Sequence, residues 1–406
     1  MEDREIKILL DASERLISKV SIDFRRYLVP RIDWTDDLIC IKGPKGTGKT
    51  TLMLQHIRET FGEAPERAVY LALDHLWFAS HDVLETVEWF VSHGYEYLFI
   101  DEVHHYKNWS RLIKTISDFY PQLKIVYSGS SILKLGVGTA DLSRRQAVYL
   151  LKGMSFREFL AYEGVAEVPR LDFQTLLKEH RSLAREIVSR CKVLPRFSEY
   201  LRYGYYPFYR RVGSQFAERL AEAVGTVLSV DLPAVEDITP PTVRKARRML
   251  MVLAASCPQQ PNMSRLYAEL ETDRNLGLKL LGALERAELF TAVDSGLPSA
   301  AKLKHLSRPE KLFLGDTNLM HALTGDPDIG AVRETFFVNQ LTAAGHKVST
   351  PQKGDFIVDD RWLFEIGGAG KGFSQIKGIE ESFVANDGVE VGIGNKIPLW
   401  LFGCLY

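Results

Sequence analysis

The residues most able to do chemistry lie at positions 43–50, in the run Gly-Pro-Lys-Gly-Thr-Gly-Lys-Thr. This run fits G-x-x-x-x-G-K-[ST], the pattern of a phosphate-binding loop. Its glycines allow successive backbone N–H groups to turn towards an anion, and a helix that starts there adds partial positive charge. The motif predicts that Lys49 contacts the β- and γ-phosphates of a nucleoside triphosphate and that the Thr50 hydroxyl is a ligand of Mg²⁺.

The sequence on both sides of this loop has the pattern that such a loop requires. Residues 38–41 form a short apolar run that predicts a buried strand, and residues 51–57 begin a helical pattern. The alternative is a glycine-rich turn that binds nothing, and the flanking elements disfavour it. We therefore expect the chain to bind ATP with Mg²⁺. The predicted nucleotide-binding residues are Gly43, Pro44, Lys45, Gly46, Thr47, Gly48, Lys49, Thr50 and Thr51.

Two adjacent acids follow another apolar run, residues 97–100. In a phosphate-loop protein the first acid, Asp101, orients Mg²⁺ through its water shell. The second acid, Glu102, is placed to accept a proton from the attacking water, which would make hydrolysis possible as well as binding. The alternative is that both acids only solvate the end of a strand, and a phosphate loop in the same chain makes this less favourable.

A third candidate is Ser128, near the end of the run at residues 123–131. Its hydroxyl could orient the attacking water near the γ-phosphate, and Ser130 is a second candidate for this role. Serines beside a glycine are also common in turns, so the sequence leaves both interpretations open.

Strands and helices alternate around these candidate residues, which predicts an α/β fold with a parallel sheet and helices on both faces. Ligands of such a sheet bind at the carboxyl ends of its strands, where Gly43, Asp101 and Ser128 all fall. The strand candidates are residues 38–41, 68–74, 95–102 and 123–131, and the helical patterns between them are residues 51–57, 81–91 and 110–119.

The composition of the 406 residues is 46% hydrophobic and 25% charged, which excludes a disordered chain. The net charge of −1 provides no global positive field, so any nucleic-acid binding would need a local patch. The first five residues are too charged to open a secretion signal, and no apolar stretch is long enough to span a bilayer. Scattered cysteines without a C-x-x-C pair predict reduced core residues in a cytoplasmic protein. The four cysteines are Cys40, Cys191, Cys257 and Cys404.

Beyond residue 152 the strand signal fades, and residues 153–235 predict a helical lid rich in Leu, Arg and Tyr. A series of short helices and a strand follows, which predicts a winged helix. A small helical packing module that never contacts DNA is an equally good interpretation. The predicted helices are residues 242–255, 263–270 and 276–287, and the strand is residues 289–293. A third, α/β unit is predicted from residue 330, with a helix at 332–341 and strands at 355–358, 362–366 and 398–402.

The order of these motifs resembles a prokaryotic family of AAA-type P-loop ATPases with a C-terminal winged helix and a restriction-endonuclease-like domain. The phosphate loop, the Phe-Ile-Asp-Glu strand and the Ser-Gly-Ser-Ser strand end are followed by Ser-Phe-Arg-Glu-Phe-Leu at residues 155–160. Residues 197–207 resemble the family's Tyr-Leu-x-x-Gly-x-x-Pro element, and residues 308–316 resemble its Lys-x-Tyr-x-x-Asp strand. The resemblance implies an ATPase core at residues 1–152, a lid at 153–235, a winged helix at 236–329 and an endonuclease-like domain at 330–406.

The resemblance also implies a role for Arg145. The family has Leu-x-Gly-Arg before the Ser-Phe segment, and this chain has Leu142-Ser143-Arg144-Arg145 there. An arginine at this position could contact the γ-phosphate, from the same subunit or from a neighbouring one. A surface salt bridge is the alternative.

The endonuclease-like domain of the family carries an acid, a strand and then Glu-x-Lys, a set of the PD-(D/E)xK type that can hold magnesium. Here Glu334 and Asp355 supply acids, and Glu365-Ile366-Gly367 places glycine where the lysine belongs. Lys371 lies beyond a glycine-rich stretch, which predicts a poor approach. We therefore expect a retained fold with a degenerate site and no nuclease activity.

Together these features predict an ATP-hydrolysing, AAA-type switch or remodeller that acts on a nucleic acid or protein partner and could form oligomers. One alternative is a nucleotide-gated signalling scaffold with slow turnover, and another is an ATP-regulated nuclease. The acid pair Asp101 and Glu102 favours turnover over a static scaffold, and Gly367 disfavours the nuclease.

Overall fold

The computed structural model describes residues 3–131, 142, 144–235, 238–258, 262–295 and 311–406. The chain forms two compact units, and each is described here by itself. The first unit consists of Met1–Lys152 and Ser229–Ile238, and the second consists of Gly153–Leu228 and Thr239–Tyr406. Residues 229–235, which the sequence assigned to the lid, therefore belong to the first unit.

A parallel five-stranded sheet forms the centre of the first unit, in the order β2-β3-β4-β1-β5. The predicted α/β class with a parallel sheet is thus confirmed. The sheet is covered on both faces, so its inner strands are almost continuously apolar. Its fifth strand was not predicted, because that strand is short and partly exposed at the sheet edge. The strands are β1 Leu38–Gly43, β2 Ala68–Ala72, β3 Tyr97–Asp101, β4 Lys124–Ser130 and β5 Ala147–Leu150.

Four long helices accompany this sheet, and the apolar faces of the first, third and fourth contribute to one buried cluster. In the last of them, for example, Leu112, Ile113 and Ile116 recur at helical spacing and are all buried. The helices are α1 Asp3–Lys19, α2 Lys49–Phe61, α3 Val83–Ser92 and α4 Trp109–Phe119. Shorter 3-10 turns lie at Val29–Arg31, Pro65–Arg67, Leu76–Ala79 and Val103–His105, and a π-turn Val227–Asp231 leads into a short helix, Leu232–Val235.

The second unit begins with a helical region and ends with a mixed sheet. Its helices before residue 230 are Phe156–Tyr162, Phe173–Arg190, Val193–Glu199, Tyr209–Val212 and Phe216–Thr226, with a π-turn at Tyr200–Gly204 and a 3-10 turn at Gly213–Gln215. Its later helices are Pro240–Ala254, Met263–Glu269, Arg274–Arg286, Thr317–Thr324 and Ile329–Ala344. Strands Phe290–Val293 and Lys311–Leu314 pair with each other in antiparallel fashion. The sheet contains Val348–Ser349, Phe356–Val358, Trp362–Gly367, Ser382–Asn386 and Lys396–Pro398, in that spatial order.

The predicted helices and strand between residues 242 and 293 are confirmed as elements, with small differences at their ends. Whether they act as a winged helix stays a prediction. The predicted strand at residues 398–402 is wrong, because Leu399–Cys404 is a 3-10 helix whose six residues are all buried. An apolar run that is buried on every side shows no period that distinguishes a strand from a helix. Arg308, Pro309 and Glu310 of the family-like strand lie outside the described residues.

A buried polar network joins the helical region of the second unit to its C-terminal part. The Tyr200 hydroxyl donates to the Met154 carbonyl at 2.7 Å, and Arg157 donates to the carbonyl of Tyr406 at 2.6 Å. Asn318 accepts from the Tyr205 N–H at 2.8 Å and donates to the Tyr200 carbonyl at 2.9 Å. Such a network leaves few buried donors unpaired, so residues 153–206 and the end of the chain stabilise each other. Within the described residues, no helix has the length and apolar character needed to cross a bilayer.

Asp316 in this network provides a test of stability against pH. Burial raises its pKa from 3.8 to about 6, although it accepts from the Leu319 N–H at 2.8 Å and the Tyr206 hydroxyl at 2.7 Å. Between these two values the folded state keeps a proton that the unfolded chain has released. The resulting stabilisation is full below the lower value and is lost as pH rises through the higher one.

We expect Asp316→Asn, which cannot ionise, to gain stability relative to wild type as the pH rises from 4 to 7. At about 1.4 kcal/mol per pKa unit the change is at most roughly 3 kcal/mol. Urea unfolding at both pH values measures it, with the exposed Asp326→Asn as a control. If the variant and the wild type differ by the same free energy of unfolding at both pH values, the raised pKa of Asp316 is contradicted.

Candidate functional site

The phosphate loop leaves the sheet at Gly43, the last residue of β1. A Cβ at Gly43 would lie 2.3 Å from the carbonyl oxygen of Leu151, so only glycine fits beside the chain that follows β5. Gly48, the N-cap of α2, has a φ of 95°, a left-handed conformation that favours glycine. Pro44, Lys45, Gly46, Thr47 and Gly48 form the loop, and Lys49, Thr50 and Thr51 open α2. The strand-loop-helix arrangement predicted for residues 38–57 is therefore confirmed.

The Lys49 ammonium lies inside this loop and is nearly buried. It donates to the carbonyl oxygens of Gly43 at 2.8 Å and of Pro44 at 3.0 Å. The Thr47 hydroxyl donates to the same Pro44 carbonyl at 2.9 Å, and the buried Arg26 donates to the Thr47 carbonyl and, at 2.7 Å, to that of Lys152. The loop is therefore held in a curved form with a cation at its centre.

Asp101, the last residue of β3, is buried and accepts hydrogen bonds from three hydroxyl groups. Thr50 donates to its Oδ2 at 2.5 Å, Tyr70 donates to the same oxygen at 2.7 Å, and Ser128 donates to Oδ1. Burial, together with the charge of Asp101, raises the pKa of Tyr70 far above its ordinary value, so Tyr70 stays a donor. The carboxylate is thus fixed beside the first turn of α2.

Thr50 and Asp101 form an oxygen-donor pair that fits Mg²⁺. Their side-chain oxygens lie 2.5 Å apart, and carboxylate and hydroxyl oxygens are the ligands that this hard cation prefers in phosphate sites. The two residues are 51 positions apart in the sequence and meet because β3 ends and α2 begins at the same edge of the sheet. The local geometry is consistent with the metal role that the sequence predicted for both.

Glu102 follows Asp101 with a φ of 55°, a left-handed conformation that is uncommon for residues other than glycine. Its N–H donates to Asp101 Oδ1 at 3.1 Å, and its carboxylate lies 3.3 Å from Nε2 of His104. The Glu102 side chain is 22% exposed, so water can reach it. Non-glycine residues in this conformation are enriched at functional sites, where the surrounding structure maintains the strain.

The two predicted serines lie where expected but use their polar groups differently. The Ser128 hydroxyl donates to Asp101, and its oxygen lies 3.4 Å from the Glu102 N–H. Ser130 contributes its backbone N–H, which donates to Nδ1 of His104 at 3.4 Å. Ser128 therefore contacts both acids, and its predicted action on water stays a prediction.

Arg145 lies in the first unit, and its side chain is 56% exposed. It donates to Oδ1 of Asp118 at 2.5 Å, so the structure contains the surface salt bridge that the sequence left as an alternative. Arg144 is also exposed, and Ser143 lies outside the described residues.

We expect Arg145→Ala to change neither ATP affinity nor turnover appreciably, because an exposed ion pair is worth at most about 1 kcal/mol. Fluorescent-nucleotide titration and a phosphate-release assay measure the two quantities. A fall in turnover at unchanged affinity would contradict this and support the γ-phosphate contact that the resemblance implies.

Sequence reasoning missed four residues near this site: Arg26, Tyr70, His104 and Asp231. Arg26 and Tyr70 reach the loop and Asp101 through tertiary packing, as described above. His104 follows the acid pair in the sequence, where adjacent histidines at 104 and 105 were the only available signal. Asp231 comes from the segment of the chain that returns to the first unit.

The second unit brings together the acids that the sequence named near its C-terminus. Glu365, in strand Trp362–Gly367, is fully buried, and the Lys371 ammonium lies 2.5 Å from its carboxylate. Asp355 accepts from the Ile366 N–H at 2.7 Å, and Glu334 lies 3.3 Å from the Lys311 ammonium. Burial, with a smaller contribution from Asp355, raises the pKa of Glu334.

The expected poor approach of Lys371 is wrong. A Cβ at Gly367 would lie 2.7 Å from Cβ and Cγ of Lys371 and 2.9 Å from its Cδ. The Lys371 side chain therefore occupies the space that a side chain at position 367 would need. The absence of a side chain at Gly367 is what allows Lys371 to reach Glu365, and its hydrogen bond to Glu365 raises the lysine pKa.

The parallel sheet, the phosphate loop and the acid pair together define an AAA-type P-loop fold. Residues 35–160 match a family model, AAA_14, described as an AAA domain. Residues 194–329 match a second model, described as a domain of unknown function, DUF8612. The search of curated proteins finds no match.

Several solved structures resemble the chain weakly. Drosophila ORC bound to DNA has a TM-score of 0.28 and 14% identity, covering 78% of this chain and 99% of that one. AMPPCP-bound DnaA from Aquifex aeolicus has a TM-score of 0.27 and 12% identity, covering 70% and 89%. A DNA replication initiation factor gives 0.27 and 12%, covering 71% and 95%. At these TM-scores the likeness supports no argument about function.

Proposed function

We propose that this protein binds and hydrolyses ATP and uses the cycle as a switch or remodeller that acts on a macromolecular partner. The observation that carries the proposal is the convergence of Thr50, Asp101 and Glu102 at the edge of the sheet that carries the phosphate loop. A loop that only bound phosphate would not require a solvent-accessible glutamate beside a buried, hydroxyl-bonded aspartate.

The phosphate loop supplies the binding energy in this proposal. The Lys49 ammonium exchanges its contacts with the Gly43 and Pro44 carbonyls for phosphate oxygens, which are stronger, charge-assisted partners. The N–H groups at the start of α2 face the same anion, because helix N-termini are ready-made anion sites. Mg²⁺, when bound, would neutralise phosphate charge, with Thr50 and Asp101 as its protein ligands.

Glu102 supplies the chemistry by accepting a proton from the attacking water. The oxygens of its neighbour Asp101 already accept hydrogen bonds from three hydroxyl groups. Glu102 is therefore the acid of the pair whose carboxylate can accept a hydrogen bond from water. Base catalysis of this kind is typically worth roughly 10²–10⁴ in rate. Ser128 contacts Asp101 and the Glu102 backbone, so we assign it to positioning of the acid pair.

The partner class is tested by asking which macromolecule changes the ATPase rate. We infer a nucleic acid or protein partner from the helices and sheet of the second unit. We also place the protein in the cytoplasm, because all four cysteines are free. Phosphate release is measured alone and with duplex DNA, single-stranded DNA or RNA. Stimulation by one of them would identify a nucleic-acid partner, and an unchanged rate with all three would contradict that version of the proposal.

A second candidate function, metal-dependent cleavage of a phosphodiester, is favoured by one observation. Glu365 and Lys371 are paired at 2.5 Å, with Asp355 and Glu334 nearby, so the acids and the cation of a PD-(D/E)xK-type site are all present. The glycine at position 367, from which the sequence predicted inactivity, does not remove the cation.

We expect any nuclease activity to depend on Lys371, because it is the cation held against Glu365. Circular DNA, linear DNA and RNA are incubated with the protein and Mg²⁺ or Mn²⁺, with and without ATP. Cleavage should disappear in Lys371→Ala and persist in the exposed control Lys377→Ala. If wild type cleaves none of the three substrates, the second candidate function is wrong.

A further inference from the structure

The side chain of His104 lies between two carboxylates of the first unit. Its Nε2 is 3.3 Å from Oε2 of Glu102 and 3.4 Å from Oδ1 of Asp231. The His104 side chain is completely buried and that of Asp231 is 2% exposed. The proposed general base is therefore linked through an imidazole to an acid 129 positions further along the chain, since 231 − 102 = 129.

The backbone of β4 fixes the tautomer of this imidazole. The Ser130 N–H donates to Nδ1 of His104 at 3.4 Å, so in the neutral ring Nδ1 is the acceptor and Nε2 carries the proton. One N–H therefore faces two carboxylate oxygens. Neither contact has the short, aligned geometry of a full hydrogen bond, so the proton is not committed to one acid.

Asp231 is held in place by the segment that carries it. Val235, one turn further along, packs against the apolar cluster of the first unit. Residues 227–231 form a π-turn. This conformation is rare in proteins as a whole, and where it occurs it is often at a functional site. Burial raises the pKa of Asp231, but the nearby His104, with smaller contributions from Lys45 and His105, brings the net value below the ordinary one. Asp231 is therefore a charged, fixed partner for the ring.

A purely structural role explains these contacts poorly. A buried acid and a buried imidazole carry a desolvation cost that apolar side chains of similar volume would avoid. The two residues that carry this desolvation cost lie next to Glu102. The backbone of Glu102 is strained, so its carboxylate already depends on the surrounding residues for its position. A displaced catalytic group can lower a rate by roughly 100-fold, so a residue that sets the Glu102 position has a large effect available to it.

We infer that His104, oriented by Asp231, is a positioning residue for Glu102. This inference rests on the proposed ATPase function, with Glu102 as the base. Asp231 keeps the His104 N–H beside the Glu102 carboxylate, and His104 holds that carboxylate at the edge of the phosphate site. The two residues act on the rate through Glu102 and do not themselves contact nucleotide.

The test compares Asp231→Asn and His104→Gln with wild type in the full chain, in buffers that contain Mg²⁺ as the only divalent cation. Both substitutions conserve approximate size, and Gln keeps an N–H donor. We expect the ATP dissociation constant of each variant to stay within about twofold of the wild-type value, while turnover falls by roughly 10- to 100-fold in Asp231→Asn. A further variant, His104→Ala, removes the N–H donor. Turnover should therefore fall less in His104→Gln than in His104→Ala. His93→Gln, which replaces the exposed histidine directly after α3, should match wild type.

A double-mutant cycle with Glu102→Gln separates positioning from damage to the fold. Single-turnover rates should show that Asp231→Asn has little effect once Glu102 is already Gln, because its action passes through that carboxylate. Equal losses with and without Glu102 would show a merely structural role. Wild-type turnover in Asp231→Asn would also overturn the inference. Absence of turnover in wild type would instead overturn the proposed ATPase function, so the two failures are distinguishable.

Discussion

Lys49→Ala should abolish measurable ATP binding. The Lys49 ammonium lies within the loop and donates to two of its carbonyls, so the variant loses both the charge that phosphate would contact and the group that holds the loop curved. A second phosphate loop of this sequence pattern is absent from the 406 residues. Titration with a fluorescent ATP analogue measures the loss.

The control for this variant is Lys107→Ala, which removes an exposed lysine of the same unit. Thermal unfolding of both variants shows that each is folded. If Lys49→Ala binds the analogue as tightly as Lys107→Ala, the assignment of the phosphate loop is wrong.

Glu102→Gln should retain ATP binding and lose turnover by roughly 10²-fold or more. Gln has nearly the same shape as Glu but cannot accept the proton of the attacking water at neutral pH. Because the Glu102 backbone N–H makes the contact with Asp101, that contact is unaffected by the substitution. Single-turnover measurements separate the chemical step from binding and product release.

A matched control is Glu88→Gln, an exposed glutamate on α3. Wild-type turnover in Glu102→Gln would show that another group is the base. In that case Asp101, whose carboxylate already accepts hydrogen bonds from three hydroxyl groups, would have to be reconsidered.

The fold of the first unit was predictable from the sequence because its signals are local. The phosphate loop combines a strand, a fixed glycine spacing and a helix within about 20 residues, and the conformation of each part can be predicted from its own residues. The acid pair was recognisable for the same reason, since Asp101 and Glu102 directly follow an apolar strand. The parallel sheet followed from the alternation of these units.

The remaining features depend on contacts between distant residues, which a single sequence does not encode locally. His104 meets Asp231 because a later segment of the chain returns to the first unit. Lys371 reaches Glu365 because Gly367 leaves room for it, and the same glycine made the site look defective in the sequence. Leu399–Cys404 is buried on all sides, so its apolar run carried no period from which to choose between strand and helix.

The most direct test of ATP hydrolysis is the release of inorganic phosphate from ATP by the purified wild-type protein. The assay is run with Mg²⁺, with EDTA, and with Lys49→Ala in place of wild type. We expect repeated turnover that needs Mg²⁺ and is lost in Lys49→Ala. Phosphate release by wild type that equals release by Lys49→Ala at every protein concentration would contradict it.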